Sequence, residues 1–250
     1  MIHNIVTGGH GFIGKHLLKK LEGRTKSIHH WDISTTELCE NFFFLSTYGN
    51  MADHKDNFLM VRANVMDLIK AVARPHDYFV FMSSSSVTLP VQTSYSRSKR
   101  AAEEILLALP EVKSAIVRPY SVTGVGEQKE HLIPKLIHSC FTGDEIPFDP
   151  YPVHDFVDVE DVVDGLIALS DKSETGIYEF GNGVPITNQE VREIVESECG
   201  RRVHTVTARR LRPYDNSSWY CRNKSALWKP KKKLRQSIKE MVDAYKLQRA

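Results

Sequence analysis

Ile2-His3-Asn4-Ile5-Val6-Thr7-Gly8-Gly9-His10-Gly11-Phe12-Ile13-Gly14 is the stretch on which the reading of this chain turns. A short apolar run ends in a glycine-rich turn. Apolar residues then recur at helical spacing at Phe12, Ile13, Leu17, Leu18 and Leu21, and Gly23 is placed to end the helix. The order is strand, phosphate loop, helix. Gly9, Gly11 and Gly14 satisfy G-x-G-x-x-G, and Gly8, Gly11 and Gly14 satisfy G-x-x-G-x-x-G. Such glycines let the backbone turn tightly and let a pyrophosphate approach the helix N-terminus, where free N–H groups and the dipole favour negative charge. Further out, Lys26 to Trp31 reads as the second strand, and Asp32 ends it. A carboxylate there accepts the adenosine-ribose hydroxyls and repels a 2′-phosphate. No arginine adjoins Asp32, so the expected cofactor is NAD rather than NADP.

Downstream, Ile33 to Glu40 is a polar link, and Asn41 to Thr47 reads as a buried strand running into a polar loop at Tyr48-Gly49-Asn50. Such near-continuous apolar runs belong to strands covered on both faces. Phe58 to Ala73 has helical periodicity and stops at Pro75. Tyr78 to Met82 is a strand that runs into Ser83-Ser84-Ser85-Ser86. Tyr95 to Leu109 is a helix closed by Pro110, and Ser114 to Val117 is a strand before Arg118-Pro119. Strands alternating with helices predict an α/β fold with a doubly wound parallel sheet, its chemistry carried by loops at the strand C-termini. The second half is more mixed. Helices are expected at Leu132 to Phe141, Glu160 to Leu169, Asn188 to Cys199 (capped by Thr187) and Leu234 to Leu247, and strands at Asp155 to Val159 and Ile177 to Phe180. The basic run Lys229 to Arg235 reads as a solvated linker.

With 250 residues the chain is one large domain or two small ones, and its net charge of +2 points to neither nucleic acid nor membrane as a partner. No stretch is long and apolar enough to span a bilayer. The chain opens directly on a strand, which leaves no room for a signal peptide. Cys39, Cys140, Cys199 and Cys221 are scattered without a C-x-x-C, so reduced thiols, no metal site and a cytoplasmic location are expected.

Tyr95-Ser96-Arg97-Ser98-Lys99 places Tyr and Lys one helical turn apart on one face. A free tyrosine has a pKa of about 10, too high for a base at neutral pH. A lysine ammonium beside it and a cationic nicotinamide above it both favour the phenolate. Tyr95 can then exchange a hydroxyl proton with a substrate while the cofactor moves hydride. The pair gains weight from its position, after a strand that ends in serines and in a chain that opens with a dinucleotide loop. Ser84 or a neighbour can hydrogen-bond the same substrate hydroxyl.

Taken together, Thr7-Gly-Gly-His-Gly-Phe-Ile-Gly14, Asp32, Ser83-Ser84, Tyr95-x-x-x-Lys99, Arg118-Pro119-Tyr120-Ser121-Val122-Thr123-Gly124, Asp155-Phe156-Val157-Asp158-Val159-Glu160-Asp161-Val162 and Trp228-Lys229-Pro230-Lys231 resemble the extended short-chain dehydrogenase/reductase family. Within it the chain is most similar to the NAD-dependent sugar-nucleotide epimerases and dehydratases. The resemblance implies a Rossmann-type NAD-binding domain over residues 1–175, with an excursion to the substrate domain at about 121–152, and a smaller C-terminal substrate-binding subdomain over 176–250. It implies a catalytic triad of Ser84, Tyr95 and Lys99. Cofactor contacts fall on Gly8, Gly11, Phe12, Ile13, Gly14, Asp32, Leu45, Ser46, Tyr95, Lys99 and Val122. Substrate contacts fall on Ser85, Ser121, His154 and Arg212, with a nucleotide sugar as partner, no metal, and a homodimer as the assembly. The chain also departs from the family. The region after Asp32 is contracted. Only ten residues separate Ser84 from Tyr95. The Arg-Asp that often precedes the Phe-Val strand is His154-Asp155, and a common Asn is Ser121, whereas Arg212-Pro213-Tyr214-Asp215 matches a phosphate-clamping arginine.

In the related dehydratases an Asp-Glu pair follows the triad serine, and in the decarboxylases a Glu. Here those positions are Ser85 and Ser86, which do not titrate near neutrality. Elimination therefore lacks its proton donors. The expected activity is epimerisation, at C4 of a UDP- or dTDP-hexose, by transient oxidation to a keto-sugar and return of the hydride to its other face. The alternatives are a reductase of a nucleotide keto-sugar and a non-catalytic NAD-binding regulator.

Overall fold

The computed structural model describes residues 2–29, 37–50, 56–208, 219–222 and 227–249. Along the chain the elements are β1 (Ile2–Thr7), α1 (Phe12–Lys20), β2 (Thr25–Ile28), β3 (Cys39–Phe44), α2 (Asn57–Val61), α3 (Asp67–Val72), β4 (His76–Met82), α4 (Ser94–Leu107), β5 (Ser114–Pro119), β6 (Ser121–Thr123), α5 (Leu132–Thr142), β7 (Ile146–Phe148), β8 (Val153–Asp158), α6 (Val159–Lys172), β9 (Gly176–Phe180), β10 (Pro185–Thr187), α7 (Asn188–Cys199), β11 (Thr205–Thr207) and α8 (Leu234–Leu247). They divide into two compact units.

The first unit comprises Met1–Pro119, Val162–Phe180 and Lys224–Trp228. Its sheet has six parallel strands in the order β2-β1-β3-β4-β5-β9. This is the expected doubly wound, Rossmann-type arrangement. After β1 the chain moves to one side to make β2, then crosses to the other side to make β3. The switch point therefore lies between β1 and β3, where ligands bind in such sheets. The strands are apolar because both faces are covered: Phe42, Phe43, Phe44, Phe79 and Phe81 are fully buried. Phe42 stacks on Phe79 at 5.3 Å. Each such ring contributes about 1.5–3 kcal/mol of burial.

Three features differ from the expectation. β2 ends at Ile28, short of Trp31. The helix expected over Phe58 to Ala73 is interrupted by a π-turn at Arg62–Met66 that joins α2 to α3. Gly176–Phe180 begins the C-terminal subdomain if the boundary is set at 175, but as β9 it pairs with β5 from Ala115↔Gly176 to Pro119↔Phe180. Packing explains its place in the first unit: Phe180 is fully buried and stacks on Trp228 at 4.2 Å.

The second unit comprises Tyr120–Asp161, Gly181–Asn223 and Lys229–Ala250. It holds a three-stranded sheet ordered β10-β8-β6 and a parallel pair, β11 with β7. Ile133, Leu136, Ile137, Val191, Val195, Ile238 and Val242 form its core between α5, α7 and α8. α7 starts with a capping box in which Thr187 and Glu190 satisfy each other's backbone N–H groups. Among the described residues, no helix is long and apolar enough to cross a membrane.

Candidate active site

The glycine loop joins β1 to α1 through close backbone contacts. Gly8 has φ +74°, and a Cβ built there would lie 2.9 Å from Leu45 C and from Ser46 N. A Cβ on Gly14 would lie 2.1 Å from Gly8 O. The loop after β3 is tied to the same place, as Leu45 N donates to Thr7 O at 3.3 Å and Ser46 N to Thr7 Oγ1 at 3.4 Å. Leu45 and Ser46 are buried, and Phe12 and Ile13 are half-buried in the first turn of α1. That helix is capped by Gly11 without a side-chain bond and carries no acid in its first turn. Its leading amides and dipole are thus aimed at a cradle that any side chain would fill, which fits a dinucleotide pyrophosphate. Asp32, the expected ribose ligand, lies outside the described residues, as does Arg212.

Ser84, Tyr95 and Lys99 come together in the first unit. Ser84 follows β4 and caps a tight turn at Ser85–Thr88, its Oγ accepting from Ser86 N at 3.2 Å. The Ser84 and Ser86 hydroxyls are 2.8 Å apart. Gln92 closes the shortened loop by donating to the carbonyls of Ser86, Val87 and Leu89. Ser85, an expected substrate contact, is 1% exposed in this turn. Thr93 caps α4, accepting from Ser96 N at 3.2 Å, and so sets the phase of Tyr95 and Lys99.

Burial raises the pKa of the Tyr95 hydroxyl above that of an ordinary tyrosine, and the neighbouring Thr47 and Ser84 hydroxyls pull it back. Lys99 is 1% exposed, and its Nζ donates to Met82 O at 2.8 Å and lies 5.0 Å from the Phe81 ring centre. Burial pushes its pKa down to about 7, and Glu103 opposes the shift. The spacing alone suggests an ammonium resting on the phenol. In the structure the phenol has the Ser84 and Thr47 hydroxyls as neighbours, and the lysine is anchored to the end of β4.

Three residues of this neighbourhood escape the sequence reading. Thr47 Oγ1 donates to Asn64 Oδ1 at 3.1 Å. Asn64, fully buried in the π-turn, also accepts from Tyr48 N at 2.9 Å and donates to Tyr48 O at 3.0 Å and Ser98 Oγ at 2.9 Å. The π-turn thus clamps the loop after β3 to α4, and such turns gather at functional sites. The available signal was an Asn on the buried stripe Met60, Asn64, Leu68. The third is Glu103, one turn beyond Lys99.

The other expected contacts lie in the second unit. Ser121 on β6 and His154 on β8 occupy neighbouring strands, with Ser121 Oγ 3.4 Å from His154 Nδ1. Val122 pairs with Val157. Asp155 is buried, which raises its pKa, while the backbone N–H groups of Cys221, Gly183 and Asn182 pull it down. That carboxylate holds the turn after β9 in place.

Residues 40–181 match the family model described as the NAD dependent epimerase/dehydratase family. That span includes Ser84, Tyr95, Lys99 and His154; the glycine loop precedes it. No curated protein matches the chain by sequence. Solved structures do match in fold. A UDP-N-acetylglucosamine 4-epimerase from Methanobrevibacter ruminantium M1, in complex with UDP-N-acetylmuramic acid, is 20% identical with a TM-score of 0.85, covering 99% of this chain and 100% of its own. A UDP-glucuronic acid 4-epimerase from Bacillus cereus, in complex with UDP-glucuronic acid and NAD, is 19% identical with a TM-score of 0.85 and the same coverage. RMD from Pseudomonas aeruginosa, complexed with NADPH, is 20% identical with a TM-score of 0.83, again over 99% and 100%. At these identities the likeness establishes the fold.

Proposed function

Because the chain belongs to the NAD dependent epimerase/dehydratase family, we propose that it epimerises a nucleotide sugar, at C4 of a UDP- or dTDP-hexose, with NAD as cofactor. One observation carries the reading: Tyr95 lies beside Ser84 just past β4 with Lys99 one turn on along the same helix, and the positions after Ser84 hold serines rather than carboxylates. When bound, NAD supplies reversible acceptance of hydride from the sugar carbon. The residues of this chain do the rest. Gly8, Gly11 and Gly14 admit the pyrophosphate to the N-terminus of α1, and Asp32 takes the ribose hydroxyls. Ser84, fixed by Ser86 and the Gln92 clasp, orients the C4 hydroxyl. Tyr95 takes its proton and later returns it. Burial disfavours the phenolate, so Tyr95 needs a nearby cation, and protonated Lys99, one turn on along the same helix face, is the one placed to supply it. Ser121, His154 and Arg212 are the proposed contacts for the nucleotide sugar, with Arg212 for its diphosphate.

Phe58, Leu59, Val61, Met66 and Ile69 are large apolar residues exposed along α2, the π-turn and α3. This stripe favours a homodimer, as contiguous apolar surface marks an association site. All four cysteines are free thiols, in keeping with a reducing, cytoplasmic compartment.

The test is a panel of UDP- and dTDP-hexoses incubated with purified protein and followed by NMR. The expected result is interconversion of 4-epimers without added NADH. Products formed only with NADH would make it a reductase. Tight NAD binding with no turnover on any sugar would make it a regulator.

A further inference from the structure

On the proton-transfer reading above, we infer that Glu103 is a positioning residue that sets the charge of Lys99 and is itself metered by Arg118. Tyr95, Lys99 and Glu103 recur every four residues on α4 and so lie along one face. Each is attached to the C-terminal end of the sheet. Tyr95 reaches Ser84, Lys99 donates to Met82 O at 2.8 Å, and Glu103 accepts from the hydroxyl of Ser83. Met82 and Ser83, two successive residues at the end of β4, are thereby bonded from two successive turns of one helix, and Tyr95 sits one turn earlier beside Ser84. Glu103 is 1% exposed, and its other partner is Arg118 on β5, whose Nε lies 2.9 and 3.2 Å from the two carboxylate oxygens.

A carboxylate this buried needs a cation. Arg118 meets it by direct contact, and Lys99, one turn earlier on the same helix face, is near enough to feel its charge without an ion-pair contact. The charged and titratable groups near Lys99, among the described residues, are Glu103 and Tyr95 on α4 and Arg118 behind Glu103. β4 offers only the Met82 carbonyl and the Phe81 ring. Burial drives Lys99 toward the neutral amine, and Glu103 is the group that opposes it. Arg118 absorbs part of the Glu103 charge and thus limits how far it does so. The Glu103–Arg118 pair does not touch the reacting atoms. It acts through Lys99, and through Lys99 on the ease with which Tyr95 gives up its proton.

Opposite shifts separate this role from a purely structural one. In Glu103→Gln the Ser83 contact has an oxygen acceptor still, but the charge is gone. The pKa of Lys99 is expected to fall by about one unit or more, the lower end of the effect of a neighbouring opposite charge. In Arg118→Gln, Glu103 keeps its charge and turns to its remaining cation, so the same pKa is expected to rise. Glu103→Asp should restore the parent value in large part. The pKa is read from the 13Cε shift of Lys99 during a pH titration of the full chain, assigned with Lys99→Arg. If only one of the two glutamine variants folds, its sign alone decides. Equal pKa values in parent and variant, or shifts of the same sign in both, would overturn the inference. The pH profile of kcat is the second readout: its Tyr95 limb should move to higher pH in Glu103→Gln. A Lys99 pKa that shifts as expected in a protein without epimerase turnover would sustain the coupling and remove the proposed activity. An active enzyme whose Lys99 pKa is indifferent to both substitutions would do the reverse.

Discussion

The glycine cradle makes the sharpest quantitative expectation, through Gly14→Ala. The new methyl would lie 2.1 Å from Gly8 O and 2.8 Å from both Gly8 C and Gly9 Cα. Ordinary contact begins at 3.4 Å, so the Gly8 carbonyl must withdraw by about 1.3 Å. These are backbone atoms, and Gly8 is itself wedged against the backbone of Leu45 and Ser46. No side chain can swing aside. The cost belongs at the upper end of overpacking, about 3 kcal/mol. In a chain of this size that is a fall in Tm of about 6–12 °C. Pyrophosphate binding should suffer as well, because the loop that carries the amides moves. Loss of one charge-assisted hydrogen bond, about 1.5–3 kcal/mol, corresponds to a ten- to hundredfold weaker affinity. Gly11→Ala should be much milder, since its methyl would meet only Gly8 O, at 3.2 Å. Gly143→Ala is the control: it has φ +79° and open space around it, so it should lose about 1–2 kcal/mol of stability and no NAD affinity. Scanning calorimetry and NAD titration calorimetry measure both quantities. A Gly14→Ala protein that melts and binds NAD as the parent does would refute the reasoning.

Tyr95→Phe should fold and bind NAD normally while turnover falls by about 10²–10⁴, the usual contribution of a positioned acid–base group; full turnover on the true substrate removes Tyr95 from the mechanism. Asp32→Ala should narrow a preference for NAD(H) over NADP(H) in measured dissociation constants, and tighter NADPH binding by the parent would sink the assignment. Lys99 sheds its proton at about 7 in the folded chain against 10.5 unfolded. Between those values the unfolded state holds the extra proton, so stability rises with pH. The Tm difference between the parent and Lys99→Met should change in the parent's favour across that window, and a difference independent of pH would contradict the burial assigned to Lys99. Phe58→Glu combined with Ile69→Glu should convert a dimer to a monomer in sedimentation, because both side chains are exposed on one stripe; an unchanged mass would place the interface elsewhere.

Much of the first unit was legible because strand alternation and the glycine loop are local signals. Phe42 to Phe44 and Tyr78 to Met82 are continuous apolar runs of the kind that only a covered parallel sheet produces. The Tyr95 and Lys99 pair was legible for the same reason, since helical spacing places them without knowledge of the rest. What the pattern could not convey was three-dimensional accounting. Helical spacing suggests that Lys99 rests on the Tyr95 hydroxyl, but the contact seen in the structure is one donor of its ammonium on Met82 O. Thr47 is tied to Asn64 in the π-turn and Glu103 to Ser83 and Arg118 beyond its own helix, and nothing in their own sequence neighbourhood announces it. The π-turn at Arg62–Met66 was invisible because the apolar periodicity continues through it. β9 is visible in the sequence as the run Ile177 to Phe180, but its partner is not, because pairing with β5 is a long-range event.

That late pairing has a consequence for biosynthesis. The 56 residues between Pro119 and Gly176 are made after β5 and before β9. At about 5–20 residues per second, the ribosome needs about 3–11 s to supply them. Throughout that interval β5 has no partner on one side, and Ala115, Ile116 and Val117, all buried in the finished sheet, form its open edge. An unpaired apolar edge is a template for other chains. The nascent protein is therefore most vulnerable to aggregation just after β5 has been made, and slowing translation across residues 120–175 should lengthen its stay on holdase chaperones. A chain truncated at Pro119 contains Ser84, Tyr95, Lys99 and the whole glycine loop, and it should still be captured in that aggregation-prone state.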